Sequence, residues 1–216
     1  MEDKKHLYIM ISRTHTGIGK AIRRFSRYTY NHVSLTLDPT FRRWVSFARY
    51  IHNAPLYGGF IVEPVERYLA DGNGDDVLVR IFKVEISDED YSRLTELFSK
   101  AGNLNSGYVY NIFDIVAASV KLRAPVNGAY TCLGFAREVL RKDYMNIKAL
   151  DEDLTPYMIY EGGLSGLAAD SGDRTDRYFS KLNLLQGTKC TMRQLATLTS
   201  RAVRHSSADA YTYRVH

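Results

Sequence analysis

Asn31-His32-Val33-Ser34-Leu35-Thr36-Leu37-Asp38-Pro39 decides how the rest of the chain is read. Its alternation is strict, with Val33, Leu35 and Leu37 on one side and His32, Ser34 and Thr36 on the other. That period of two predicts a β-strand, and Asp38-Pro39-Thr40 predicts a turn after it. Arg43–Arg49 alternates in the same way, with Val45 and Phe47 opposite Trp44, Ser46 and Ala48. The two segments predict an antiparallel hairpin. Upstream, His6–Ser12 is a short apolar run that predicts a buried strand, and Ile18–Tyr28 predicts a helix. In that helix Ile18, Ala21, Ile22 and Phe25 form the apolar face, while Lys20, Arg23, Arg24 and Arg27 are cationic.

Downstream, Phe60–Val65 and Val77–Ile86 predict strands around the turn Asp71–Asp76. Ser87, with an acid three residues on, predicts a capped helix that Gly102 ends. A further helix is expected over Ile112–Val120. Ala129-Tyr130-Thr131 leads into a helix over Cys132–Lys142, whose stripe is Cys132, Phe135, Ala136, Val139 and Leu140. Beyond residue 150 the signal weakens. A short helix is expected at Thr155-Pro156, a loop over Gly162–Asp176 and a last helix over Met192–Val203, with a patternless tail from His205. The order of elements is α+β. We divide the chain into residues 1–150 and a C-terminal extension, 151–216, packed on the same domain.

The 216 residues are 45% hydrophobic and 25% charged, which excludes disorder as the main state. No apolar run approaches the ~18 residues of a membrane span. We expect a cytoplasmic protein without a transmembrane segment. Two cysteines, Cys132 and Cys190, cannot supply a disulfide framework or a four-thiolate zinc site. No metal or cofactor is expected. Gly17-x-Gly19 lacks the spacing of a phosphate-binding loop. Asp71-Gly72-Asn73-Gly74-Asp75 lacks the final glutamate of a calcium loop, where Phe82 stands. No nucleic-acid motif accompanies the net charge of +5, so nucleic acid is not the expected partner.

The remaining chemical question concerns the thiols. Cys132 opens a helix, where unpaired N–H groups and the helix dipole stabilise a thiolate. The same position is in register with Phe135 and Ala136, as a core cysteine would be. His32 begins a strand rigid enough to hold a general base, and also reads as an ordinary strand-end histidine. Cys190 follows Gln186-Gly187-Thr188-Lys189, which reads as a loop, and we assign it a structural role.

Asn31-His32-Val33-Ser34-Leu35 on a strand, followed about 100 residues later by Tyr130-Thr131-Cys132-Leu133-Gly134-Phe135-Ala136-Arg137-Glu138-Val139-Leu140 on a helix, resembles the permuted papain-like branch of the NlpC/P60 superfamily. That branch includes the bacterial YiiX/YaeF-like amidases and the lecithin:retinol acyltransferase-like proteins. The resemblance covers roughly residues 5–145. It implies an antiparallel sheet packed against helices, and a cysteine hydrolase or acyltransferase acting on an amide, ester or thioester. Cys132 would be the nucleophile, with its own N–H in the oxyanion hole, and His32 the base. The substrate would be a small-molecule, peptide or lipid acyl compound. The family usually carries a polar residue behind the histidine. Ser46 is placed there, with Glu63 as the alternative, or a Cys–His dyad if neither serves. The competing reading is a non-catalytic module of the same fold that binds an anionic ligand or nucleic acid through the basic helix.

Overall fold

The computed structural model describes residues 4–54, 56–70, 75–119, 124–168 and 171–212. Asp71–Gly74 of the expected turn and calcium-like loop, Val120 at the end of the expected helix, and the last four residues of the tail lie outside the described residues. In chain order the elements are β1 (Lys5–Ser12), α1 (Gly17–Ser26), β2 (His32–Thr36), β3 (Arg43–Arg49), β4 (Gly58–Pro64), α2 (Val65–Ala70) and β5 (Leu78–Ile86). There follow α3 (Asp88–Ser99), β6 (Val109–Tyr110), α4 (Ile112–Ser119), β7 (Ala129–Tyr130), α5 (Cys132–Leu140), α6 (Ile147–Leu154), β8 (Met158–Gly163) and α7 (Leu184–Thr212).

Six strands form one antiparallel sheet in the order β4-β3-β2-β1-β5-β8. The protein is therefore α+β, as the alternation of short strands and amphipathic helices predicts. β1 is central and apolar on both sides because both faces of the sheet are covered. Leu7, Ile9 and Ile11 join Val33, Leu35, Phe47 and Phe60 under α5, which contributes Phe135, Ala136 and Val139. Tyr8 and Met10 join Trp44, Val79 and Ile81 under Val65 and Tyr68 of α2 and Leu164 after β8. The polar side of the β2 alternation is thus a buried layer and not a solvent face. Ser34 and Ser46 are fully buried.

The hairpin expected from β2 and β3 forms, but its registered pairing is the single pair Leu35↔Val45. No further β2–β3 pair is registered toward His32. On their other sides the ladders are long, with β1 pairing β2 from Tyr8↔Thr36 to Ser12↔His32 and β3 pairing β4 from Arg43↔Pro64 to Arg49↔Gly58.

Several expectations are corrected. Phe25 is not on a buried face: it is 74% exposed. The region expected to be loop from Gly162 is entered by β8, which pairs with β5 from Leu78↔Gly163 to Phe82↔Met158. Residues beyond 150 therefore complete the sheet and supply Leu154, Leu164, Tyr178 and Leu198 to buried positions. Gln186–Lys189 is helix, and α7 carries Cys190 and runs through Thr212. Among the described residues no helix is long and apolar enough to cross a membrane.

Candidate active site

Cys132 is the first residue of α5. Thr131 caps that helix, its Oγ1 accepting a hydrogen bond from the Gly134 N–H at 3.0 Å. The approach to the cap is fixed by a two-strand parallel ladder, β6 with β7, in which Tyr110 lies opposite Tyr130. The Asn111 N–H donates to the Tyr130 carbonyl at 2.9 Å. Cys132 is therefore held by its own helix cap and by a strand pair immediately before it. Its side chain is buried, with the His32 imidazole and the backbone N–H groups of Val33 and Leu133 directed at it. Val33 pairs with Ile11 of β1 and lies outside the one registered β2–β3 pair.

His32 is anchored from its N-terminal side. Asn31 Oδ1 accepts from the Thr14 N–H at 3.0 Å and from Arg23 Nη1 at 2.8 Å, and Asn31 Nδ2 donates to Thr14 Oγ1 at 2.6 Å. On the other side, His32 Nε2 lies 2.8 Å from Glu63 Oε2, which leaves Nδ1 for the thiol. The contact expected of Ser46 is thus made by Glu63, and Ser46 stands one bond further back. The Ser46 hydroxyl donates to Glu63 Oε2, as does the Tyr68 hydroxyl at 2.8 Å. Ser34 Oγ lies 3.2 Å from the same oxygen and 2.6 Å from the Tyr68 hydroxyl.

Register explains the exchange of roles. Trp44 pairs with Glu63 and Ser46 with Ile61, so alternation puts Ser46 and Glu63 on one face. Glu63 sits on β4, two strands from β2 and so roughly 10 Å away at ~4.8 Å per strand. The carboxylate reaches His32 because the β3 residue between them on that face is a serine. The short side chain is crossed, and its hydroxyl becomes a further donor to the carboxylate.

The charges reinforce one another. Burial alone pushes the His32 imidazole down. The Glu63 carboxylate and the Cys132 thiolate outweigh burial and hold its pKa well above 6.5. Burial likewise pushes Glu63 up, but the imidazolium, the hydrogen bonds from His32 and Ser46 and the Arg67 charge hold it well below 4.5. Burial raises the Cys132 thiol too. The His32 charge and the bonds from His32, Val33 and Leu133 bring it below 9.0. The arrangement favours a thiolate–imidazolium pair with an ionised carboxylate behind it.

These groups line a cleft of about 80 Å³. That is room for a reacting group and a few waters and not for a whole drug-sized ligand. Thr16 and Gly19 of the α1 start wall one side. Arg49 and Arg67, also in the lining, each lie over the Tyr178 ring at 5.5 and 5.1 Å, and Arg67 is ion-paired with Asp176. Tyr110 completes the lining, its phenol held protonated by burial and by the nearby Cys132 charge.

Sequence reasoning missed Tyr68, which lies on a six-residue helix with no start signal of its own, and gave Ser34 no role. Cys190 is half-buried on α7 and does not line the cleft. Among the described residues no three of His, Cys, Asp and Glu are grouped to hold a metal ion. Comparison with protein families, with curated proteins and with solved structures returns no match.

Proposed function

We propose that the protein is a cysteine hydrolase or acyltransferase with the permuted papain-like arrangement, acting on an amide, ester or thioester. The observation that carries this reading is the buried series Cys132, His32, Glu63, in which both neighbours of the imidazole favour its charged form. Buried ion pairs are costly where packing alone would serve, and perturbed cysteine–histidine pairs in clefts are where nucleophiles are made.

The Cys132 thiolate attacks the substrate carbonyl carbon, and the carbonyl electron pair moves to oxygen. The Cys132 N–H, at the α5 N-terminus, donates to that oxyanion. Collapse expels the amine, alcohol or thiol, which takes its proton from His32. The resulting thioester accepts water or a second nucleophile, deprotonated by the now neutral imidazole. Departure of the Cys132 sulfur completes the transfer. Glu63 orients the ring through Nε2 throughout and stabilises its positive charge in the steps where the ring is protonated. Ser46, Ser34 and Tyr68 fix the carboxylate.

Iodoacetamide labelling against pH tests the reading. Cys132 should react with a midpoint below 9.0 and faster at neutral pH than Cys190. His32→Ala should slow Cys132 by about tenfold or more, since a free thiol is only a few per cent thiolate at pH 7. A chromogenic ester should then show a burst of acylation that Cys132→Ala abolishes. Equal labelling of both cysteines, unchanged in His32→Ala, would refute it.

A further inference from the structure

Among the described residues, Tyr178 is the one residue lining the Cys132 cleft that follows Cys132 in sequence. It stands in a single turn, Arg177–Phe179, between β8 and α7 and outside the sheet, yet it is only 5% exposed. The turn is pinned at several points. Asp176 Oδ1 accepts from the Tyr178 N–H at 2.7 Å and is ion-paired with Arg67. The Tyr178 carbonyl accepts from the His52 N–H at 3.0 Å, and its hydroxyl accepts from Arg49 Nη2 at 2.9 Å. Just beyond, Asn53 holds Leu182 both ways, Nδ2 donating to the carbonyl at 2.8 Å and Oδ1 accepting from the N–H at 3.2 Å. With the Arg49 and Arg67 guanidiniums over its ring as well, Tyr178 is a fixed wall and not a loose side chain. The space it helps to bound is about 80 Å³. Aliphatic side chains in the lining come from Ile22 and Ala48 alone, while Thr14, Thr16, Asn31, Arg49 and Arg67 are polar or charged.

We propose that Tyr178 is the specificity-determining wall of this site: it limits the acyl group to a short chain and keeps long hydrocarbon acyl groups out. The inference rests on the acyl chemistry proposed for Cys132 and narrows its substrates. The carbonyl carbon must reach the Cys132 sulfur, so the part of the acyl group next to it must fit inside this lining. A long alkyl chain gains from burial only against apolar surface, and the lining offers little. Surplus methylenes would have to displace a ring whose partners hold it in place, and packed walls resist even small additions. A short acyl group needs no such displacement.

Two size series on the whole chain test this. In the first, chromogenic esters of acetate, butyrate and octanoate are compared by their acylation bursts. The octanoate ester should react more slowly than the acetate ester by about tenfold or more, the cost of overpacking a filled site. Tyr178→Ala should narrow that ratio by about tenfold, and Tyr178→Phe, which keeps the ring, should restore it. A purely structural role would slow all three esters alike and leave the ratio unmoved. In the second series, methyl and octyl methanethiosulfonate modify Cys132, with Cys190, outside the cleft, as the internal reference. The octyl reagent should lag at Cys132 in the wild type and recover in Tyr178→Ala. If Tyr178→Ala unfolds the protein by circular dichroism, Tyr178→Leu replaces it. The second series needs no catalysis, so a size limit there without any ester burst supports the wall and sinks the catalytic reading alone. Octanoate as fast as acetate in the wild type, no lag of the octyl reagent at Cys132, or ratios unchanged on removing the ring overturns the inference.

Discussion

One oxygen, Glu63 Oε2, collects His32, Ser46, Tyr68 and Ser34, and that concentration of donors has a measurable consequence for stability. His32 is raised above 6.5 in the fold, so its contribution is complete below pH 6.5 and is lost as pH rises through its folded value. Glu63 is lowered below 4.5, so its contribution is complete above pH 4.5 and is lost as pH falls through its folded value. Between those limits the pair contributes fully. Glu63→Gln should cost about 1–3 kcal/mol there by urea unfolding. It should also flatten the alkaline decline, because the imidazole then has less reason to be charged. Parallel stability–pH curves for the two proteins would contradict the pairing. His32 and Cys132 were legible because each is announced by its own element, a strand alternation and a helix start. Glu63 was only an alternative because its place depends on lateral register. Alternation puts Ser46 and Glu63 on one face without saying which reaches the ring.

At the scale of elements, the turn into α1 is held as tightly as the site it borders. A Cβ built on Gly19 meets Asn31 Nδ2 at 2.5 Å, Thr14 Oγ1 at 2.7 Å and Thr16 Oγ1 at 2.9 Å. All three atoms belong to hydrogen bonds that fix the residue before His32 and cap α1. Gly19→Ala should destabilise by about 1–3 kcal/mol, read by urea unfolding, and slow Cys132 labelling through displacement of Asn31. An unchanged labelling rate would show that the clamp does not set the His32 position. Elements with local punctuation were readable. The α3 start was found because Ser87 Oγ does accept from the Asp90 N–H; its end falls at Ser99 with Lys100 as cap, and Gly102, at φ +82°, turns the chain two residues beyond that cap. β6, β7 and β8 were not, since two residues carry no period and β8 ends in Glu161-Gly162-Gly163. The α7 start was misread because Gly187 costs a helix about 1 kcal/mol, an amount that burial of Leu198 and Gln194 further along the same helix offsets.

Across the whole molecule, the chain beyond 150 is bound in by more than β8. Arg80 bridges Asp151 and Glu161 at 2.7 Å each, and the Tyr28 hydroxyl donates to Asp151. This network ties α6 and β8 to the segment leading into His32. A chain ended after residue 150 should therefore lose its cooperative urea transition. A cooperative transition with rapid Cys132 labelling would show that the first 150 residues suffice. Seen in time, the sheet order carries a different meaning. β1 to β4 are neighbours in sequence as well as in space, so a chain emerging from the ribosome completes the His32–Glu63 pair with short loop closures. Cys132 follows 69 positions after Glu63, as an ordinary thiol until α5 docks on β2. Under the proposed function its nucleophilicity would be conferred by the docking step itself, and the onset of thiol reactivity would mark the moment at which the chain has closed.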